Sequence, residues 1–130
     1  MYHTTTHDIR VTVMPVYIDE RSEPQQGKHF WAYRVVIANQ GKLTVQLVSR
    51  YWHITDANGQ VEEVRGPGVV GEQPVLRPGD SFEYTSGCPL TTASGFMRGT
   101  YSMVDEHGEQ IEVAIPAFAL DLPDARPVIN

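Results

Sequence analysis

No stretch longer than about ten residues keeps a helical period, and glycine or proline interrupts the chain repeatedly. That leaves strands joined by turns as the available structure. Ile9, Val11 and Val13 alternate with Arg10 and Thr12, the period of a half-buried strand. Pro15 interrupts that run, as at an edge or a bulge. The polar segment Asp19–Lys28 reads as a long loop. Beyond it Trp31, Tyr33, Val35 and Ile37 share one face, up to the turn signal Asn39-Gln40-Gly41. From Leu43 to Thr55 the parity switches between Leu47 and Trp52, which predicts a bulge or a doubly buried strand near Val48. Asn58-Gly59 predicts a hairpin with a type I′ turn into QVEEVR. After the Pro78-Gly79 turn, Phe82 and Tyr84 open another strand, and Gly87–Gly95 reads as a loop. FMRGTYSMVDE and EQIEVAIPAF form two strands around His107-Gly108, and residues 121–130 form an extended tail. The expectation is one domain over residues 1–130. It is all-β, an antiparallel immunoglobulin- or fibronectin type III-like β-sandwich of seven or eight strands.

Composition narrows the function. A chain of 130 residues buries roughly two thirds of its unfolded surface and needs no disulfide or metal to fold. The net charge is -6 and no cluster of Lys or Arg occurs, which argues against nucleic-acid binding, since counterion release needs closely placed cations. The single cysteine, Cys88, rules out a disulfide framework and fits a reducing compartment. MYHTTTHDIR has no apolar h-region, and no apolar run approaches the roughly 20 residues of a membrane span. A cytoplasmic location without membrane insertion is expected.

Residues 65–74, RGPGVVGEQP, carry a G-x-G-x-x-G at Gly66, Gly68 and Gly71. In dinucleotide-binding folds this motif links a strand to a helix whose N-terminus holds the pyrophosphate. Here no helical pattern follows, and Pro67 removes one N–H donor. The expected role is a glycine-shaped connection. A phosphate or pyrophosphate site at Arg65, Gly66, Gly68 and Gly71 is the alternative, resting on the Arg65 guanidinium and on backbone nests. SRYWHIT (49–55) puts Arg50 and Trp52 on one face of a strand and Tyr51 and His53 on the other. Trp52 is expected in the core. Arg50 and His53 need polar partners and are candidate partner contacts.

Catalytic patterns are missing. His29, His53 and His107 lie in different elements, and no HExxH, HxH or Cys/His cluster occurs, so neither a metal site nor a cofactor is expected. His3 and His7 read as part of a frayed end. Cys88 reads as a small half-buried thiol with no base beside it in sequence. Glu62-Glu63 and Asp105-Glu106 are adjacent on strands, so each pair points to opposite faces and cannot act as an acid–base couple. The chain is therefore expected not to be an enzyme.

VQLVSRYWHITDANGQ (45–60), GPGVVGEQPVLRPGDSFEYTSGCPL (66–90), GFMRGTYSMV (95–104) and IPAFAL (115–120) resemble the bacterial ApaG family. The resemblance covers nearly the whole chain, and GVVGEQP and YTSG followed by G-x-M-x-G-x-Y are its specific parts. It implies a fibronectin type III-like sandwich. It also implies an interaction module, as a related domain is in eukaryotic F-box and polymerase-delta-interacting proteins. ApaG proteins are often labelled as acting in cobalt and magnesium efflux, and the family's glycine motif has prompted a pyrophosphate-binding suggestion. Together these readings describe a small binding module acting through a protein partner or a homodimer, with weak contact to a divalent cation or pyrophosphate as a further expectation.

Overall fold

The computed structural model describes residues 1–123. Nine strands form: β1 (Tyr2–Thr6), β2 (Ile9–Tyr17), β3 (His29–Asn39), β4 (Val45–Asp56), β5 (Val61–Pro67), β6 (Val75–Leu76), β7 (Ser81–Leu90), β8 (Gly95–Asp105) and β9 (Gln110–Leu120). They make two antiparallel sheets, ordered β1-β2-β3-β7 and β5-β4-β8-β9, with β6 pairing β4 outside that path. The expected antiparallel β-sandwich is what forms, and β1 and the two-residue β6 are the additions to the predicted set. Within the loop read over Asp19–Lys28, single 3-10 turns occupy Asp19–Arg21 and Pro24–Gln26. From Asp124 on, the predicted tail lies outside the described residues.

The period of two placed the inward rows. Val11, Val13, Val35 and Ile37 are fully buried from one sheet, and Leu47, Tyr101 and Met103 from the other. Between them stand Trp31, Tyr33, Trp52 and Phe118. Trp52 meets the Tyr33 ring at 5.3 Å and the Phe118 ring at 5.9 Å, both edge-on. Such pairs add about 0.5–1.5 kcal/mol each beyond their buried area. The indole N–H of Trp31 donates to Asp121 O at 2.8 Å, so its one polar atom is satisfied. Asn39, buried at the end of β3, donates to Leu43 O and Leu76 O and accepts from Gly41 N, which ties β6 to the rest.

Several local expectations are corrected. The N-terminus is paired, not frayed: His7 and Asp8 take positive φ (51° and 63°) and turn β1 back onto β2. Residues 87–90 belong to β7 and pair with His29–Ala32, so the loop is only Thr91–Ser94. A Cβ on Gly87 would lie 2.2 Å from the Phe30 ring, so the aromatic side chain takes the space the glycine leaves. Cys88 is consequently buried, not half-buried. At Asn58-Gly59 only Gly59 has positive φ (82°), so the turn is not type I′. Asp56 N donates to Gln60 O and Gly59 N to Asp56 O, a three-residue loop closed by a left-handed glycine. Asp56 Oδ1 accepts from Asn58 N and Gln60 N, and that local acceptor favours the longer turn. The same pattern recurs at Asp105–Glu109. The bulge predicted near Val48 is present, as a register shift between Leu47 and Ser49. Pro15 sits where β1 has already ended at Val13, so that side of β2 is an edge there.

Candidate functional site

The three glycines of GPGVVG serve three different needs. Gly66 lies inside β5, opposite Arg50, and a Cβ there would meet the Arg50 guanidinium at 3.0 Å. Gly68 has φ +59°, and a Cβ on it would fall 2.2 Å from Glu72 O, so only glycine fits. Gly71 has φ +81° with open space around it, so conformation alone requires it. Val69 and Glu72 exchange both backbone hydrogen bonds, at 2.8 and 2.9 Å, around Val70 and Gly71. Both central residues have positive φ, as in a type I′ turn, and Val70 at +44° is a β-branched residue held there against its preference. Gly68 N donates to Val48 O at 2.8 Å, so the segment folds back over the bulge of β4.

Arg50 holds this turn from below. It stands on the core-facing side of β4, in the row of Trp52 and opposite Tyr101. Its Nη1 donates to Pro67 O and Gly68 O, both at 3.0 Å. These charged-donor bonds answer the need for partners raised by its place on a mid-sheet strand. Below lies a buried cluster of tyrosines. The hydroxyls of Tyr84 and Tyr101 bond to each other. Burial pushes the pKa of Tyr33, Tyr84 and Tyr101 up, and the Arg50 charge opposes that rise at each.

On the opposite, outward side of the same strands lies an open groove of about 620 Å³, lined among others by Val48, Tyr51, Arg65, Gln73, Ser102 and Glu112. Arg50 and Gly66 also reach its wall, whereas His53, Gly68 and Gly71 do not. The β4–β5 register sets Tyr51 directly across from Arg65 and His53 across from Glu63. The Arg65 guanidinium lies over the Tyr51 ring, 4.5 Å from its centroid. The Tyr51 hydroxyl donates to Glu63 Oε2 at 2.7 Å, and Arg65 reaches the same oxygen at 3.4 Å. The Tyr51 hydrogen bond is the first cause holding the Glu63 carboxyl below its ordinary range, and the same bond holds the Tyr51 phenol above its own. Arg65 remains 68% exposed, a stacked cation presented at the surface. His53, outward on β4 between Glu63 and Arg98, has a buried Nδ1 without a hydrogen-bond partner among the described residues.

The Tyr51–Glu63–Arg65 cluster escaped the sequence reading. A type I′ turn at Asn58-Gly59 pairs Ala57 with Gln60 and hence Tyr51 with Gly66. The longer loop closes on Asp56 and Gln60, which brings Arg65 over Tyr51 instead. The missing signal was Asp56, the turn acceptor just before Ala57.

The catalytic candidates are not brought together. Cys88 faces the core of the first sheet and pairs with Trp31, while His53 faces outward on the second. Burial, with the nearby Glu62 charge, pushes the Cys88 thiol up to about 11, away from the thiolate that nucleophilic chemistry needs. Among the described residues no three His, Cys, Asp or Glu side chains gather as they would around a metal ion. Among the described residues no helix is long and apolar enough to cross a membrane.

The strand order defines a class, the two-sheet antiparallel β-sandwiches. The family model for the ApaG domain matches residues 19–105. "Protein ApaG" of Beijerinckia indica is 60% identical over 130 residues, and that of Paramagnetospirillum magneticum 61%, each match covering the whole of both chains. A crystal structure of an ApaA protein from Bordetella pertussis superposes with a TM-score of 0.89 at 52% identity, covering 91% of this chain and 96% of that one. The C-terminal domain of Wzt, only 8% identical with a TM-score of 0.51, shares the fold alone. The chain belongs to the ApaG family.

Proposed function

We propose that this chain is a non-enzymatic binding module that engages a protein partner in the cytoplasm through the groove on the outer face of β4, β5 and β8. The observation that carries the reading is Arg65 stacked on Tyr51 at the groove's wall while two thirds of its side chain stays exposed. Stacked Arg and Tyr side chains are preordered, lose little entropy on contact, and are the residue types that dominate protein interfaces. Support for a non-catalytic role comes from Cys88 in the core, away from His53, and from Glu62 and Glu63 on opposite faces of β5. A part in cobalt and magnesium homeostasis, the label the family carries, would then run through the partner.

Phosphate or pyrophosphate binding is the second reading, and the exposed Arg65 beside Gly66 favours it. Against it, the amides of Gly68, Val69 and Glu72 already donate within the fold, and the carbonyls of Pro67 and Gly68 face Arg50. A loop with three of its amides engaged, and only those of Val70 and Gly71 left without a backbone acceptor, makes a poor anion nest.

The test is affinity capture from an extract of the source cells with the immobilised chain and with its Y51A/R65A variant, quantified by mass spectrometry. A protein recovered by the native chain and reduced at least about tenfold on the variant, the change expected from losing a hot-spot pair, supports the reading. Equal recoveries on both contradict it.

A further inference from the structure

β7 is ten residues long and among the described residues pairs only with β3, so none of them occupies its other edge. The other edges are guarded. β5 carries Glu62, Glu63 and Arg65 and ends at Pro67, while β9 contains Pro116 and packs against β1. β7 has a single charged side chain, Glu83, which Arg34 engages at 2.7 Å, and its only proline, Pro89, comes at the far end. Ser81–Cys88 thus offers a long row of backbone donors and acceptors whose one charge, Glu83, is already paired with Arg34, the kind of edge that proteins otherwise blunt. Because β1 and β9 close one side of the sandwich, β7 and β5 flank the opposite seam. A cavity of about 210 Å³ opens there, and both strands line it, Glu62 from β5 and Leu90 from β7. Toward the seam β7 turns Tyr84, Ser86, Cys88 and Leu90. In the same cavity Asp56 spends Oδ1 on its own turn, whereas Glu62 has no hydrogen bond or ion pair among the described residues.

We propose that the edge of β7 away from β3 receives an extended segment of a protein partner by strand addition, and that this segment sets a Lys or Arg beside Glu62. An added strand turns alternate side chains into the seam, where β7 presents small and apolar ones and Glu62 an uncompensated carboxylate. The net charge of -6 steers a basic segment toward the chain. This surface is separate from the groove at Arg65, and the two readings stand or fall apart.

The probes are blocked ten-residue peptides of alternating Thr and Val with one Arg near either end, and twins with Glu in its place. Backbone amide NMR follows the titration. The expected result is shifts confined to residues 81–90 and the neighbourhood of Glu62, with an Arg peptide at least about fivefold tighter than its Glu twin. E62Q removes that preference, T85K weakens both peptides, and Y51A/R65A changes neither. The proposal is overturned by unmoved β7 amides at about 1 mM peptide, by equal affinity of the Arg and Glu twins, or by T85K binding as the native chain does. Sedimentation of the free chain as a dimer with protected β7 amides also overturns it, since a second copy would then own the edge.

Discussion

Arg50 and Gly66 face each other across the β4–β5 ladder, and the guanidinium occupies the space a side chain at residue 66 would take, 3.0 Å from an ideal Cβ. The glycine of the strand and the arginine that holds the turn therefore form one unit. Alanine at 66 pushes the guanidinium by a few tenths of an ångström and so strains its bonds to the Pro67 and Gly68 carbonyls. R50A alone should cost about 1.5–3 kcal/mol, the loss of charged-donor hydrogen bonds to the exposed Pro67 carbonyl and the part-buried Gly68 carbonyl. G66A should cost markedly less in the R50A background, with a coupling of about 1–2 kcal/mol. G68A, which strikes backbone at Glu72, should show no such relief. Urea unfolding of the singles and doubles reads these values directly.

Val70 carries a backbone penalty at φ +44° while the residue is 55% exposed. V70N gives an Asn-Gly pair, which suits two central residues of positive φ. Little buried apolar contact is lost in exchange. The variant should be more stable by about 1 kcal/mol, seen as a higher urea midpoint at unchanged slope. A loss of stability would show that Val70 makes a contact worth more than the strain.

Cys88 links stability to alkaline pH. Burial first, then the Glu62 charge, raises its pKa from 9.0 to about 11. The unfolded chain thus releases this proton near 9 while the folded chain keeps it. Between those values the unfolded state binds fewer protons, so stability falls as pH rises, by at most about 1.4 kcal/mol per pH unit for one group. Below 9 the contribution is fully present. Tyr84 and Tyr101, also raised by burial, act in the same direction from about 10 upward. Urea midpoints at pH 8, 9 and 10 should decline past 9, and C88A should remove the early part of that decline. Alkylation of native protein at pH 8 should be slow and should become fast on unfolding.

The fold was largely legible because its core rows alternate. Val11–Val13 and Val35–Ile37 were placed by period alone, and the parity switch located the bulge at Val48. What escaped depended on single side chains that reset a turn or filled a gap. Asp56 lengthened a hairpin and moved Arg65 onto Tyr51. Phe30 covered Gly87 and let β7 run on through Cys88. The groove was readable only in part. Arg50, Arg65 and Gly66 were named from sequence, but Ser102 and Glu112 come from strands that only the sheet order brings beside them.

GPGVVG is, on these grounds, a turn that Arg50 braces and whose Gly66 and Pro67 line one wall of the groove, with no anion site of its own. Titration of pyrophosphate into the isotope-labelled chain, followed at the backbone amides of residues 64–72, tests that claim most directly. Those amides should stay unmoved up to millimolar ligand, because Gly68, Val69 and Glu72 already donate within the fold and the Val70 and Gly71 amides alone do not make a nest. Saturable shifts centred on Gly66–Gly71 that disappear in R65A would contradict it and establish an anion site there.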